Sequence, residues 1–543
     1  MTEYVLTVLD TTGIQDYVFG TNNLQQITGA SYLVNCATRD WVKDALSPMK
    51  HNEIDFNELA NPFGNQRIED GVLDAELIYA GGGNTVIVFA TMEKAVLFAR
   101  ILTKRIFTEA PGLNVVITHQ PFSWDTPLGG ESGAWQMAFK ALARRKAQGR
   151  VTPPLLGRAV TAECVFTSLP AVGRDNDNRL ISAEADAKKR NAKTALTGIL
   201  GGVELSGFNL PAYEFEQLGV SPGEKSLLAV VHIDGNGMGK RIETLRDEFS
   251  LAADNRAFLD EMRRFSISVQ KASHDALEAV VARLKAAVDK NGTIGGRVPI
   301  IENRLPFRPI IFGGDDVTLV CDGRLGLGLA SAYLSELNKQ PLSDGKNLVC
   351  RAGVSIVKSH YPFARAYDLA EKLCASAKKH IRSVRDELTK STRMQIEEDE
   401  LRSISAIDWH IATAGLGIDL EDIRQREYCV EAGKLNARPL TIQLPDAITR
   451  VNYTEKWRSW ENFILAVSEF QNGESWAESH NKVKALREVL RGGGDEVLHF
   501  NTLYRVNWPK LADLDSDALK KGWAGGHCLY FDAVEMVDIF ISL

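Results

Sequence analysis

The chain repeats itself. Near its start, YVLTVLDTTG (4–13) is an apolar run that ends in an acid and a glycine, and SLLAVVHIDGNG (226–237) is a second run of the same build. Each leads to two apolar runs around a glycine turn, IYAGGGNTVIVF (78–89) and IIFGGDDVTLVC (310–321). The spacing is 73 residues from Asp10 to Gly83 and 81 from Asp234 to Asp315. A repeat on this scale implies one supersecondary unit built twice. Each copy follows the order strand, helix, hairpin, helix, strand. That order matches a split βαβ, ferredoxin-like sheet with helices on one face. The expected class is α+β, with two ferredoxin-like domains.

The boundaries read as 1–145 for the first copy, 146–222 for a polar, mixed insert, 223–415 for the second copy and 416–543 for a mainly helical C-terminal domain. In the last region ENFILAVSEF and NKVKALREVLR have helical spacing. Its tryptophans, Trp457, Trp460, Trp476, Trp508 and Trp523, read as packing residues.

The net charge of -7 argues against a surface coated in cations for duplex nucleic acid, although a local basic groove is compatible with it. The seven cysteines form no CxxC pair, so neither a zinc ribbon nor a disulfide framework is indicated. MTEYVLTVLD lacks the basic-then-apolar pattern of a leader, and no apolar run approaches the ~20 residues of a membrane helix. The expectation is a reduced, soluble, cytoplasmic protein.

The second hairpin carries the chemistry. A Gly-Asp pair is ordinary in a surface turn. Here the flanking runs PIIF and VTLVC are apolar on consecutive residues, as in a strand buried on both faces. Asp315 and Asp316 repel each other unless a cation is present. A third acid, Asp234, ends another apolar strand, and a ferredoxin-like sheet makes that strand a neighbour of the hairpin. The three carboxylates would then converge at one edge. Oxygen-only ligands suit Mg²⁺ or Mn²⁺. Two such ions about 3.5–4 Å apart could clamp an in-line phosphoryl displacement. Gly313 and Gly314 would let the backbone approach phosphates, and Gly235, Gly237 and Gly239 would leave N–H groups free for a triphosphate.

Together these residues resemble the large, polymerase-like palm subunit of type III CRISPR effector complexes. Asp234-Gly235-Asn236-Gly237-Met238-Gly239 stands where that family has a D-G-D-x-M-G turn, and 313–316 is its GGDD. Ser359–Lys379 resembles its strand-to-helix segment, and GIQDYVF, LQQITGAS and YAGGGN resemble its degenerate first palm. The resemblance covers roughly residues 1–415. It implies two palms facing each other, two ATP molecules between them, and attack of a 3′-OH on an α-phosphate with loss of pyrophosphate. The implied products are cyclic oligoadenylates that signal in antiviral defence. It also implies that Asp234, Asp315 and Asp316 hold the metals, that Lys378 or Lys379 reaches the triphosphate, and that Ser31 lines the second nucleotide site. RNA and other effector subunits are the implied partners, and self-association is left open. Three departures lead to the expectation of a divergent or stand-alone member. The chain begins at the first palm with no HD nuclease domain, the zinc region keeps only Cys164, and Asn236 replaces an acid.

Other readings stand beside this one. A diguanylate-cyclase-like enzyme shares the turn, but the motif continues as DDV. Transfer of AMP to another acceptor would use the same metals. A scaffold subunit would keep the palm for its shape alone. The His274-Asp275 dipeptide sits mid-helix and is expected to lack further ligands. His360 is expected to finish a strand, and KKRNAK (188–193) to form a solvated helix face.

Overall fold

The computed structural model describes residues 3–56, 58, 60–149, 161–198, 203–210, 218, 226–391, 403–412, 419–443, 455–477 and 480–543. The first unit holds β1 (Glu3–Thr12), α1 (Leu24–Thr38), β2 (Ala75–Gly81), β3 (Asn84–Phe89), α2 (Met92–Glu109) and β4 (Asn114–Ser123). Side-chain oxygens start both helices: Asn23 accepts the Gln26 N–H at 3.0 Å and Thr91 accepts the Lys94 N–H at 3.4 Å. The four strands pair antiparallel in the order β2-β3-β1-β4. Two further helices follow, α3 (Ala134–Ala147) and α4 (Ala183–Gly198).

The second unit repeats the plan with β5 (Leu227–Gly235), α5 (Met238–Glu248), α6 (Asn255–Ala286), β6 (Phe307–Gly313), β7 (Asp316–Asp322), α7 (Gly326–Leu337), β8 (Cys350–Lys358) and α8 (Phe363–Ser391). Its sheet runs β6-β7-β5-β8 and continues with β9 (Ser405–Ala412), parallel to β8, and β10 (Leu440–Gln443). The central strands are β-branched and buried on both faces, as a sheet covered on two sides requires.

The hairpins repeat down to their irregularities. In β2–β3, Leu77 pairs with Ile87, the register slips, Tyr79 pairs with Val86, and Gly81 closes on Asn84. In β6–β7, Pro309 pairs with Leu319, the register slips, Ile311 pairs with Thr318, and Gly313 closes on Asp316. The two turns meet: a Cβ built on Gly313 would lie 3.4 Å from the Gly82 Cα. Helix α6 holds both. Gln270 donates to the Ala80 carbonyl at 3.2 Å, and the Ser273 hydroxyl donates to the Gly314 carbonyl.

From 416 onward, helices α9 (Trp460–Asn472), α10 (His480–Val489), α11 (Gly494–Tyr504) and α12 (Phe531–Met536) stand with a small sheet built from Cys429–Val430, Gly433–Lys434, Trp523–Ala524 and His527–Cys528. This region shares its core with the large sheet. Trp409 of β9 meets Phe463 of α9 with ring centroids 5.0 Å apart, and Trp457, Trp460 and Trp476 are buried. Among the described residues no helix is long and apolar enough to cross a membrane.

Two local expectations change. KKRNAK lies on α4, but this is not simply a solvated face. Lys188 is fully buried, donating to the Tyr17 carbonyl at 2.6 Å and to Glu184 at 2.5 Å. Helix α4 packs so closely on α1 that a side chain on Gly29 would overlap the Lys188 carbonyl. Second, α8 runs on to Ser391, so Lys378 and Lys379 are mid-helix and draw no support from a C-terminal dipole.

Candidate active site

Strand β5 brings Asp234 to the sheet edge, and its register with β7 brings Asp316 beside it. Ile233 pairs with Val317, and Asp234 and Asp316 are the next residues on the two strands. Asp315 occupies the turn and leans over the end of β5. A Cβ on Gly235 would overlap its carboxylate. Gly235 is therefore small because an acid occupies its side-chain space. The three acids named from the sequence meet at one edge.

Burial pushes the Asp315 carboxyl up to about 6 and that of Asp316 to about 7. The charge of Asp234 adds to both, and Asp316 also feels Asp315 and Glu371. Asp316 Oδ1 is enclosed without a hydrogen-bond partner, although 47% of the side chain stays open toward the cleft. His232 Nδ1 lies 3.7 Å from it, and burial holds that imidazole down to about 4, so it is neutral near pH 7.

Arg351 was not singled out from the sequence. It sits opposite Asp234 on β8, only 4% of its side chain is exposed, and its guanidinium pairs with the Asp234 carboxylate. It also donates at 2.8 Å to the Gly235 carbonyl and at 2.8 Å to Asn236 Oδ1. The departure at 236 is therefore a hydrogen-bond acceptor for a buried cation. An arginine inside the apolar run LVCRAGV was the available signal.

Helix α8 supplies a second wall. Its Tyr367 hydroxyl accepts from Gln15 Nε2 at 2.9 Å, and Glu371 acts on Asp316. Cys374 Sγ lies 3.7 Å from the Arg351 carbonyl, which sets the helix level with the acids. Lys378 is seven residues beyond Glu371 and so shares its face. Lys379 points elsewhere, with Nζ 4.0 Å from Glu421.

A cleft of about 170 Å³ lies between the two hairpins. Ser31, Gly81, Gly83, Gly313, Gly314 and Asp316 are among its lining. Gly237 takes a positive φ of 70° and starts α5, with Gly239 in the first turn. In the first copy the acid at the matching place, Asp10, pairs with Lys146, and Asn84 stands opposite it.

Among the described residues, the three carboxylates do not form a trio of ligand atoms all within 4.8 Å; His274, Asp275 and Glu278 on α6 do. The HD dipeptide thus has a neighbouring acid that sequence reasoning did not expect. Asp275 also binds Lys271 at 2.6 Å.

No protein-family profile matches the chain, and no curated protein matches it. Solved structures do. A Csm1–Csm4 cassette in complex with one ATP aligns over 99% of this chain and 70% of its own, at TM-score 0.52 and 15% identity. In fold, the chain is similar to Csm1. Csm1 of T. onnurineus aligns over 99% of this chain and 69% of its own, at TM-score 0.51 and 15% identity. A Csm1–Csm4 cassette in complex with pppApA gives TM-score 0.50 at 15% identity, covering 99% and 69%. The similarity to Csm1 thus extends over the region beyond 415, which the sequence motifs did not reach.

Proposed function

We propose that the chain is a divalent-cation-dependent nucleotidyltransferase that joins ATP into cyclic oligoadenylate-type products in antiviral defence. The observation that carries this reading is the convergence of Asp234, Asp315 and Asp316 at the end of one sheet, where Asp316 lines an open cleft whose other wall is a second glycine hairpin. The Csm1 structures with ATP and pppApA support the nucleotide class. In this reading the two split βαβ sheets are palms, the first degenerate and the second active.

The residues fit a cation. An enclosed Asp316 oxygen without a partner and two carboxyls pushed upward are what an acidic site shows before its positive charge arrives. Asp234, Asp315 and Asp316 would hold Mg²⁺ or Mn²⁺, which supplies charge neutralisation for a triphosphate. Gly313 and Gly314 let the backbone approach the nucleotide, and Gly235, Gly237 and Gly239 leave N–H groups beside it. Lys378 extends from the Glu371 face toward the phosphates, and Ser31 lines the opposite half of the cleft. In the active state Arg351 releases Asp234 and keeps its bonds to the 235–236 turn.

The Arg351–Asp234 pair also favours a second reading, a non-catalytic palm within an effector complex that holds a Csm4-type subunit and RNA. Labelled ATP with Mg²⁺ or Mn²⁺, with and without RNA, separates the two. Pyrophosphate release that falls at least 100-fold in Asp315→Ala/Asp316→Ala supports the enzyme. No ATP consumption under any of these conditions supports the scaffold.

A further inference from the structure

We propose that a second cavity, between α8 and the C-terminal region, binds a phosphate oxyanion. It holds about 330 Å³ and shares no lining residue with the acid cleft. That volume is at the low end of the ~300–1,000 Å³ of small-ligand sites. Its walls are α8, the short helix Leu420–Glu427, the segment 429–439, Arg458 and His527.

The side chains of the lining favour an anion over a metal. The described lining carries Lys379, Arg424, Lys434, Arg438 and Arg458 against one acid, Glu421. Three buried side chains of different elements carry nitrogens without a hydrogen-bond partner. His380 is 7% exposed and its Nε2 has no hydrogen-bond partner. Arg438 is 1% exposed, and its Nε and Nη2 are without partners. Arg424 Nε is the third.

The remaining guanidinium nitrogens are committed behind the cavity. Arg424 forks onto Asp408 at 2.7 and 2.9 Å. Arg438 Nη1 donates to Glu535 at 2.6 Å and Asp532 at 3.1 Å, with the rings of Trp409 and Tyr428 each 5.0 Å from its centre. These contacts hold both guanidiniums in place and leave Nε and Nη2 of Arg438 and Nε of Arg424 without acceptors. Buried N–H groups without acceptors are costly, and an oxyanion is the acceptor that suits them. Five cationic side chains against one acid suit a doubly charged phosphate better than a singly charged carboxylate. Lys434 is exposed at the mouth.

The test is calorimetric titration of the full chain with inorganic phosphate and, separately, AMP, in EDTA at fixed ionic strength. The expected result is saturable one-to-one binding. It should weaken on the order of tenfold in Lys434→Glu and in His380→Leu, and persist in Asp315→Asn/Asp316→Asn. AMP binding tighter than phosphate identifies a nucleotide as the source; equal affinity identifies the free ion. If His380→Leu fails to fold, Lys434→Glu, a surface change, decides alone. No saturable binding of either probe, binding insensitive to the variants at this cavity, or binding lost with the acid pair overturns the proposal. The outcome is independent of ATP turnover.

Discussion

Asp234 and Arg351 face each other across adjacent antiparallel strands, and the guanidinium of Arg351 closes on the carboxylate of Asp234. One of the three acids is therefore already paired with a buried cation of the protein. The other two, Asp315 and Asp316, carry raised values through burial and the charge of Asp234. This asymmetry sets what each substitution should do.

Arg351→Gln should destabilise the metal-free protein by about 2 kcal/mol. Removing one partner of a fully buried pair costs more than this, but Asp234 is 38% exposed and retains water. The variant frees Asp234 for a cation. Mn²⁺ should therefore raise its melting temperature more than that of the parent, read by thermal unfolding with and without the ion. An equal rise in both proteins would place Asp234 outside the metal site.

The pH dependence follows from Asp315 and Asp316. Their folded-state values, about 6 and about 7, lie above the ordinary carboxylate value of 3.8. Between about 4 and 7 the folded protein binds more protons than the unfolded chain, so the pair's contribution to stability falls as pH rises through that window. Asp315→Asn/Asp316→Asn should remove this fall. Denaturant unfolding of parent and variant at pH 4.5 and 7.5, in EDTA, gives the comparison: the variant should gain relative to the parent at the higher pH. A constant difference would contradict the raised values.

Lys378→Ala should raise the KM for ATP about tenfold, the loss expected for one charge-assisted phosphate contact. Lys379→Ala should leave it unchanged, because Lys379 faces Glu421 and the second cavity. Steady-state kinetics on both variants settles which lysine serves the triphosphate.

Gly353→Ala tests how α8 is seated. A Cβ there would overlap the Ala370 carbonyl and the Cys374 amide of the helix. Neither backbone can yield without moving the face that carries Glu371 and Lys378. A loss of about 3 kcal/mol is expected from chemical denaturation, with ATP consumption reduced as well. Gly173→Ala, where a Cβ meets nothing within 4 Å, is the matched control and should cost little.

Much of the fold was legible because its signals are local. Alternating and continuous apolar runs, an acid at a strand end and a glycine pair in a turn show strand, edge and hairpin without knowledge of any distant residue. The repeat made the two sheets legible together, since a unit written twice folds twice. The same reasoning was blind to Lys188, whose segment reads as charged surface until α1 is packed against it. It was equally blind to the strand β10, which joins the large sheet from far along the chain.

By itself, then, the sequence determined the α+β units, the paired glycine hairpins and the identity of the three acids, because strand periodicity and turn chemistry act over a few residues. Only the tertiary structure decided which cation answers Asp234, which of two adjacent lysines lies beside Glu421, and where cationic side chains collect around a second cavity. Those outcomes depend on strand order and helix seating, which bring Arg351 to Asp234 across 117 residues of chain. Contacts at that range are set by burial of the whole core, and no short stretch of residues encodes them.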